Sequence, residues 1–439
     1  MAERGSAGRA DSAVSAVPIG AKLLVVAGVA AAVVLCWQVS AIPIGNPYYG
    51  LFSNHVDSWV YRAGGAAVLA GDGLYGGPVF FEMMFTYPPF AAVVFVPLAV
   101  LTPMAANVLW WFATFVALVG IVGLSLRSLG YGNTRRMWTL ALFLAVVSTA
   151  FEPVRTTIWL GQINAFIVLL ILWDLTRPQS RVRGVGVGVA AGLKLTPAFF
   201  LVHLALTRQW RTCGIAVAAL AATIVVGFVA APADSWAYWG REFVDSARVG
   251  AVDSPANQSA NGFLAQMLRY YEVNRYLHIE AGQSVFVPPL WMWLMLAIPL
   301  GALGLAAATR AYRRDRKLLA VVITGMTSAT VSPFAWGHHW VWFVPLFVLA
   351  LHHGATAAGR IRWLPAAALL AVGFCWWWEY PTRDPIEDAP YPIGLGLFML
   401  PRDIPEWWSN ITVPLYSVCY PAVLIVTAGY VLWTARRER

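Results

Sequence analysis

The chain has 439 residues, of which 59% are hydrophobic and only 12% are charged, and its mean hydropathy is +0.65. Ordinary soluble domains carry about 25% charged residues, so this composition excludes a soluble globular protein and indicates a polytopic α-helical membrane protein. The net charge of +9 does not indicate a nucleic-acid-binding protein, because most of the excess lies in short loops that the positive-inside rule assigns to the cytoplasm.

The first 20 residues differ from the rest of the chain. They are small and polar and show no periodicity, so we predict a disordered cytoplasmic tail over 1–20. The apolar run that follows is longer than the hydrophobic region of a cleaved signal peptide, and we interpret it as a membrane span. No repeat or change of composition divides the remainder, which predicts a single transmembrane domain over 21–435.

Apolar segments long enough to cross a bilayer recur along this domain. Ten of them are predicted to be full crossings, namely 21–42, 105–126, 137–150, 163–176, 213–231, 290–309, 318–335, 340–351, 363–380 and 411–433. Two more, 88–104 and 184–206, are interrupted by Pro or Gly and are predicted to be partial or re-entrant. If both were ordinary crossings, several basic clusters would lie outside. We therefore expect an all-α protein with about ten crossings and two partial helices, twelve in all.

The connections on the outer side are the long ones. With a cytoplasmic N-terminus, they include 43–87, 232–289 and 381–410, which are rich in Trp, Tyr and Pro and contain most of the unusual polar residues. We expect a plasma-membrane protein whose functional site, if it is catalytic, lies on this outer face.

The first outer segment predicts a helix that lies along the membrane surface. In SNHVDSWVYRAGGAAVLAGDGLY, Asn54 can cap a helix that runs to about Ala70 and ends at Gly71 or Gly73. Five apolar residues are predicted to share one face of it: Val56, Trp59, Val60, Ala63 and Ala67. Asp57 lies at the helix start, where an ionised carboxylate either stabilises the helix or acts as a general base in glycosyl transfer.

Other polar motifs lie in or beside the outer segments. They are TYPPF at 86–90, GQIN at 161–164, GLKLTP at 192–197, NQS at 257–259 and SPFAWGHHW at 332–340. A cation inside an apolar run, such as Lys194, is a functional hypothesis by default, although snorkelling or helix packing also explains it. Adjacent histidines point apart on a helix, so we do not predict a metal site at His338 and His339.

Taken together, these motifs resemble the actinobacterial polyprenyl-phosphomannose-dependent mannosyltransferases of the GT-C superfamily, and most closely those that act on phosphatidylinositol mannosides. The resemblance covers about residues 40–345, and its more specific parts are the D-x-x-V-Y-R block with TYPP and the paired histidines. It implies a GT-C-like fold, with Asp57 as the general base and a histidine of the late outer loop in the site. Both His338 and His339 stand at that position.

The same resemblance implies the reaction and the partners. It implies an inverting transfer of mannose from polyprenyl-phosphate-mannose to a phosphatidylinositol mannoside, with an α-(1→2) linkage, at the outer face of the membrane. The candidate donor- and acceptor-binding residues are His55, Arg62, Tyr87, Gln162, Asn164, Lys194, Asn257 and Gln258. The chain has neither a D-x-D motif nor a phosphate-binding loop, so we expect no cofactor and no dependence on a metal ion.

Two alternatives remain open at this point. One is a sibling enzyme of the same superfamily that transfers arabinofuranose, or that transfers mannose to lipomannan. The other is a flippase or transporter for lipid-linked sugars, a class that uses interrupted helices near the middle of the membrane.

Overall fold

The computed structural model describes residues 17–41, 44, 46, 49–177, 180–244, 249–280, 283–379, 393–400 and 409–437. Helices dominate this part of the chain. Their bounds are α1 Ala21–Ser40, α2 Val56–Ala70, α3 Pro89–Val100, α4 Pro103–Ser128, α5 Arg135–Ser148, α6 Glu152–Leu160, α7 Asn164–Thr176, α8 Val185–Leu193, α9 Phe199–Leu206, α10 Trp210–Ala230, α11 Pro232–Gly240, α12 Ala260–Tyr270, α13 Leu290–Arg313, α14 Lys317–Val331, α15 Phe343–Thr356, α16 Leu364–Gly373, α17 Ser409–Tyr416 and α18 Cys419–Arg437.

Three small antiparallel hairpins are the only sheets among the described residues. They are β1 Pro78–Phe80 with β2 Met83–Met84, β3 Leu277–Glu280 with β4 Gln283–Phe286, and β5 Trp377–Glu379 with β6 Ile393–Leu395. The first two hairpins lie within the predicted outer segments. The protein is thus mostly helical, as predicted, with short β-hairpins added.

Four helices, α1, α4, α10 and α13, are long and apolar enough to cross a membrane, within the described residues. The pair α6 and α7 passes the same test when the two helices are taken together, but they meet at an angle of 118°. Several further helices are apolar but shorter. These helices indicate a multi-pass membrane protein, and the number of ten full crossings stays a prediction.

Both segments predicted to be interrupted are broken. Segment 88–104 contains the end of α3 and the start of α4, where the Thr102 side chain caps the new helix. In segment 184–206, α8 ends at Leu193, Lys194 is extended, and a short 3₁₀ turn leads into α9. The break therefore leaves Lys194 between two short helices.

Two predicted segments fall mainly or partly outside the described residues. The first 16 residues of the predicted tail are outside them, while the backbone N–H of Val17 donates to the carbonyl of Gly130 in the loop between α4 and α5. Of the predicted outer loop 381–410, the structure describes 393–400 and 409–410. The predicted span 363–380 is too long, because α16 ends at Gly373 and the Cys375 N–H then donates to the carbonyl of Ala150.

The end of α2 at Gly71 matches the sequence pattern, while its N-cap residue is His55 rather than Asn54, and its buried face differs from the apolar one. Asn54 Oδ1 accepts from the N–H of Val56 at 3.1 Å, and Gly71, with a φ of 74°, ends the helix. The buried residues are Ser58, Val60, Tyr61, Gly64 and Gly65. Among the five residues predicted to share the apolar face, only Val60 is fully buried, and the other four are partly exposed.

The reason is the close packing of α3 against α2. A Cβ atom on Gly65 would lie 2.7 Å from the carbonyl oxygen of Phe95, so the two backbones approach each other where a side chain would not fit. Small residues, rather than the large apolar ones, therefore decide which face of α2 is buried.

The centre of the core is α14, which is buried over almost its whole length and packs against α7, α13, α15 and α18. Its threonine hydroxyls are satisfied inside the helix, because those of Thr324, Thr327 and Thr330 each donate to the carbonyl four residues earlier. The helix leads directly into the segment that carries the paired histidines.

Candidate active site

Asp57 lies in the first turn of α2, half-buried, where the protein surrounds it with polar side chains from other segments. Burial raises the pKa of the Asp57 carboxyl to about 6, and this effect outweighs a hydrogen bond from the Gln162 side chain and the charge of Lys194, which both lower the pKa. A carboxylate with a pKa near 6 is ionised at neutral pH and is a stronger base than an exposed aspartate.

The orientation of the Gln162 amide is fixed by its neighbours. Its Oε1 atom accepts from the hydroxyl of Tyr61 at 3.1 Å, from the hydroxyl of Tyr87 at 3.4 Å and from Nδ2 of Asn164 at 3.4 Å. The two tyrosine hydroxyls lie 3.0 Å apart, so either can donate to the other in place of its bond to Gln162. With the oxygen used in this way, the amide nitrogen is the atom that donates to Asp57.

Lys194 joins this group to the histidines. Its ammonium nitrogen donates to Oδ1 of Asn164 at 3.1 Å and lies 2.8 Å from Nε2 of His339. An ammonium group can only donate, so Nε2 of His339 accepts and the ring proton is on Nδ1. Burial, and then the charge of Lys194, hold the pKa of His339 well below its usual value, which keeps this ring neutral.

His338 has different surroundings from His339. Both residues lie in the 3₁₀ turn Gly337–Trp340, which we call the histidine turn, and their ring centroids are 4.9 Å apart with an interplanar angle of 82°. The carbonyl of His338 accepts from Nδ2 of Asn164 at 2.9 Å. Its ring is buried, and neither ring nitrogen has a hydrogen-bond partner among the described residues.

These contacts form a continuous chain that we call the Asp57–His339 network: Asp57, Gln162, Asn164, Lys194 and His339. A carboxylate stands at one end and an ammonium with its imidazole at the other, with two neutral amides between them. The carboxylate can accept a proton while the ammonium binds an anion.

A cavity of about 40 Å³ lies beside Lys194 and His339. Its wall is polar at Asn164, Lys194 and His339 and becomes apolar further along α7 and α9. An anion bound at the ammonium would therefore have apolar surface next to it. Within the described residues, no group of three or more His, Cys, Asp or Glu side chains is arranged to hold a metal ion.

Four predicted site residues make other contacts. Arg62 donates to the carbonyls of Ala99 and Leu101 at the end of α3, at 3.3 and 2.8 Å, and so caps that helix. His55 lies at the N-cap of α2, where its backbone N–H donates to the carbonyl of Trp159 at 2.6 Å.

Asn257 and Gln258 hold the segment that precedes the histidine turn. Oδ1 of Asn257 accepts from the N–H of Ala335 at 3.0 Å, and the N–H of Gln258 donates to the carbonyl of Ala335 at 2.7 Å. These contacts place them beside the turn rather than in the Asp57–His339 network, and a role in binding substrate stays a prediction.

Sequence reasoning missed Tyr61 and Tyr420 as candidate site residues and gave Glu152 only as a possible residue of the site wall. Tyr61 could have been found, since its spacing of four from Asp57 places both on one side of α2. Glu152 and Tyr420 come from distant segments and meet only in the folded chain.

Comparisons with known proteins show which family the chain resembles. Residues 85–333 match the model of glycosyltransferase family 87. The chain is 31% identical over 331 residues to a polyprenol-phosphate-mannose-dependent alpha-(1-2)-phosphatidylinositol mannoside mannosyltransferase of Mycobacterium tuberculosis, covering 71% of this chain and 74% of that protein. No solved structure shows a significant match.

Two relatives have a related name, polyprenol-phosphate-mannose-dependent alpha-(1-2)-phosphatidylinositol pentamannoside mannosyltransferase. The one from Mycobacterium tuberculosis is 32% identical over 396 residues, covering 88% of this chain and 82% of the relative. The one from Mycolicibacterium smegmatis is 32% identical over 356 residues, covering 79% of this chain and 82% of the relative. The resemblance to this group of transferases is confirmed.

Proposed function

Because the chain belongs to glycosyltransferase family 87, we propose that it transfers mannose from polyprenyl-phosphate-mannose to a phosphatidylinositol mannoside and forms an α-(1→2) linkage. The names of relatives that cover most of the chain support the donor, the acceptor and the linkage. The observation that carries the proposal is the Asp57–His339 network, which supplies a base and an anion-binding cation in one site.

In the proposed reaction, Asp57 accepts the proton of an acceptor hydroxyl as the oxygen of that hydroxyl attacks the anomeric carbon of the donor. The bond between that carbon and the phosphate oxygen breaks, and the phosphate leaves with the electron pair. Lys194 donates hydrogen bonds to the charge that develops on the phosphate, which is the kind of stabilisation that lowers a barrier most. A single displacement inverts the anomeric carbon, so a β-linked donor yields an α-mannoside.

The remaining members of the network hold these two groups in place. Gln162 orients the Asp57 carboxylate, and Asn164 and the neutral His339 orient the ammonium of Lys194. Groups held in this way need not reorganise as the reaction proceeds.

We also propose that the site faces the outer side of the plasma membrane and works without a metal ion. The distribution of Lys and Arg along the loops supports this orientation. Protein donors at the leaving phosphate, and the lack of a D-x-D motif in the sequence, support the metal-independent reaction.

A direct assay tests the proposal. Purified protein is incubated with polyprenyl-phosphate-mannose and a phosphatidylinositol mannoside, with excess chelator in a parallel reaction, and the product linkage is determined by NMR. We expect an α-(1→2)-linked mannose in both reactions. Transfer of arabinofuranose, or of mannose to lipomannan alone, would identify a sibling enzyme. Movement of the intact donor across a vesicle membrane without transfer would identify a transporter.

A further inference from the structure

Glu152, at the start of α6, lies directly against the histidine turn. Its side chain is completely buried. A Cβ atom on Gly337 would lie 2.6 Å from Oε2 and 2.7 Å from Oε1 of this carboxylate, so a larger residue at the first position of the turn would displace the carboxylate. Burying a carboxylate is costly, and a carboxylate held at this place indicates a role beyond filling space.

Tyr420, in the first turn of α18, connects Glu152 to the residues that hold the segment before the histidine turn. Its hydroxyl donates to Oε2 of Glu152 at 2.5 Å, and its backbone N–H donates to Oε1 of Gln258 at 3.2 Å. The N–H of Gln258 in turn donates to the carbonyl of Ala335. The contacts thus close a ring through Glu152, Tyr420, Gln258, Ala335 and Gly337.

This ring fixes the backbone on one side of His338, and the hydrogen bond from Asn164 to the His338 carbonyl fixes it on the other. The imidazole itself is only 2% exposed, yet neither of its nitrogens has a hydrogen-bond partner among the described residues. Buried polar groups are normally hydrogen-bonded. A fixed backbone that carries an uncommitted imidazole is the arrangement expected of a group that binds substrate.

We propose that Glu152 and Tyr420 are positioning residues that hold the histidine turn so that the imidazole of His338 meets the phosphate–mannose part of the donor. This inference rests on the proposed function, because it takes the donor to bind at Lys194. The ring of His338 lies next to that of His339, which contacts Lys194. Tyr420 lies outside residues 85–333 that match the family model.

A double-mutant cycle on the purified protein tests this role. We expect Tyr420→Phe to lower kcat roughly 10- to 100-fold, the size expected when a reacting group is misplaced, with little change in the KM for the acceptor. Added to His338→Ala, the same substitution should lower kcat by less than about twofold, because residues that act through one another are not additive.

The matched control is Tyr131→Phe. This tyrosine is also buried, its hydroxyl is hydrogen-bonded to Nδ1 of His352 at 3.1 Å, and it lies in the loop between α4 and α5. We expect it to leave kcat unchanged in both backgrounds. If Tyr420→Phe does not fold, Glu152→Gln takes its place in the cycle, since it keeps the shape of the side chain.

Three results would overturn the proposal: full turnover of Tyr420→Phe, full turnover of His338→Ala, or additive losses in the double variant. Additive losses would mean that the pair supports the fold without acting through His338. A wild-type protein that transfers no mannose would instead refute the proposed function. In that case the same cycle is measured on the shift in melting temperature that polyprenyl phosphate produces, and additive changes in that shift overturn the proposal too.

Discussion

At the scale of single residues, the substitution Asp57→Asn separates a catalytic carboxylate from one that merely stabilises the helix. Asparagine has nearly the same shape, so we expect the protein to fold and bind donor, while kcat falls roughly 10²- to 10⁴-fold because the amide cannot accept a proton. The measurement is mannose transfer by the purified variant.

Asp72→Asn is the control for this substitution, since Asp72 is exposed just after the end of α2. It should leave the rate unchanged. Near-normal turnover of Asp57→Asn would show that Asp57 stabilises the start of α2 and has no catalytic role.

The raised pKa of Asp57 predicts how the rate depends on pH. The base must be ionised, so the acid limb of the kcat/KM profile should rise with pH up to about 6, the pKa of this carboxyl. Gln162 and Lys194 both lower this pKa. Replacing either with an apolar residue, as in Gln162→Leu or Lys194→Met, should therefore move the inflection of the pH–rate profile to higher pH.

An unchanged inflection in both variants would show that the rate reports another group. The order of the two shifts would indicate which neighbour acts more strongly on Asp57.

At the scale of secondary-structure elements, the start of α8 depends on the buried Asp174. Its carboxylate accepts from the N–H groups of Gly184 and Val187 at 2.9 and 3.1 Å, and it pairs with Arg177 at 3.1 Å. We expect Asp174→Ala to lower the free energy of unfolding by about 1–3 kcal/mol, because buried N–H groups lose their acceptor. Activity should fall as well, because Lys194 directly follows the last residue of α8 and depends on the position of that helix.

Thermal unfolding of the detergent-solubilised variant measures this effect. The control is Asp315→Ala, which removes an exposed ion pair with Lys317. Such pairs contribute about 0–1 kcal/mol, so the control should be close to wild type. Equal stability of the two variants would contradict the role given to Asp174.

The same elements show which structural features follow from local sequence. Gly71 marks the end of α2, and Asn54 lies just before its N-cap residue, because capping is a short-range effect. Its buried face does not follow from the apolar pattern, because Gly65 admits α3 and Gly64 admits the Phe85 side chain, and such contacts with other segments are not encoded in the periodicity of α2 itself. The overlong span 363–380 has a similar cause, since the chain after Gly373 pairs with a distant backbone.

At the scale of the whole molecule, the proposed orientation predicts which loops are accessible from outside. The variant Gly76→Cys places a cysteine in the predicted outer segment 43–87, and Arg360→Cys places one in a predicted cytoplasmic loop. Both positions are exposed. In intact cells, a membrane-impermeant maleimide should label the first variant and not the second. Labelling of the second variant alone would reverse the orientation and refute an outer active site.

How far the site can be predicted also depends on the whole fold. Asp57, Gln162, Lys194 and the two histidines could each be picked out as polar residues in apolar surroundings, although they lie far apart in the chain. The sequence does not indicate which histidine contacts Lys194, because the side chains of adjacent residues in a short turn differ only in the direction in which they point. The contact between Glu152 and Tyr420 joins residues 268 positions apart, and no local sequence pattern predicts it.

The pairing of one carboxylate with one ammonium in the Asp57–His339 network has a consequence for the charge balance of turnover. In the proposed reaction a singly charged phosphodiester becomes a doubly charged phosphomonoester, while Asp57 loses its negative charge by taking up a proton. The total charge inside the site is therefore the same before and after the chemical step. Negative charge passes only from the carboxylate end of the site to the ammonium end, so the chemical step itself carries no net charge across the membrane.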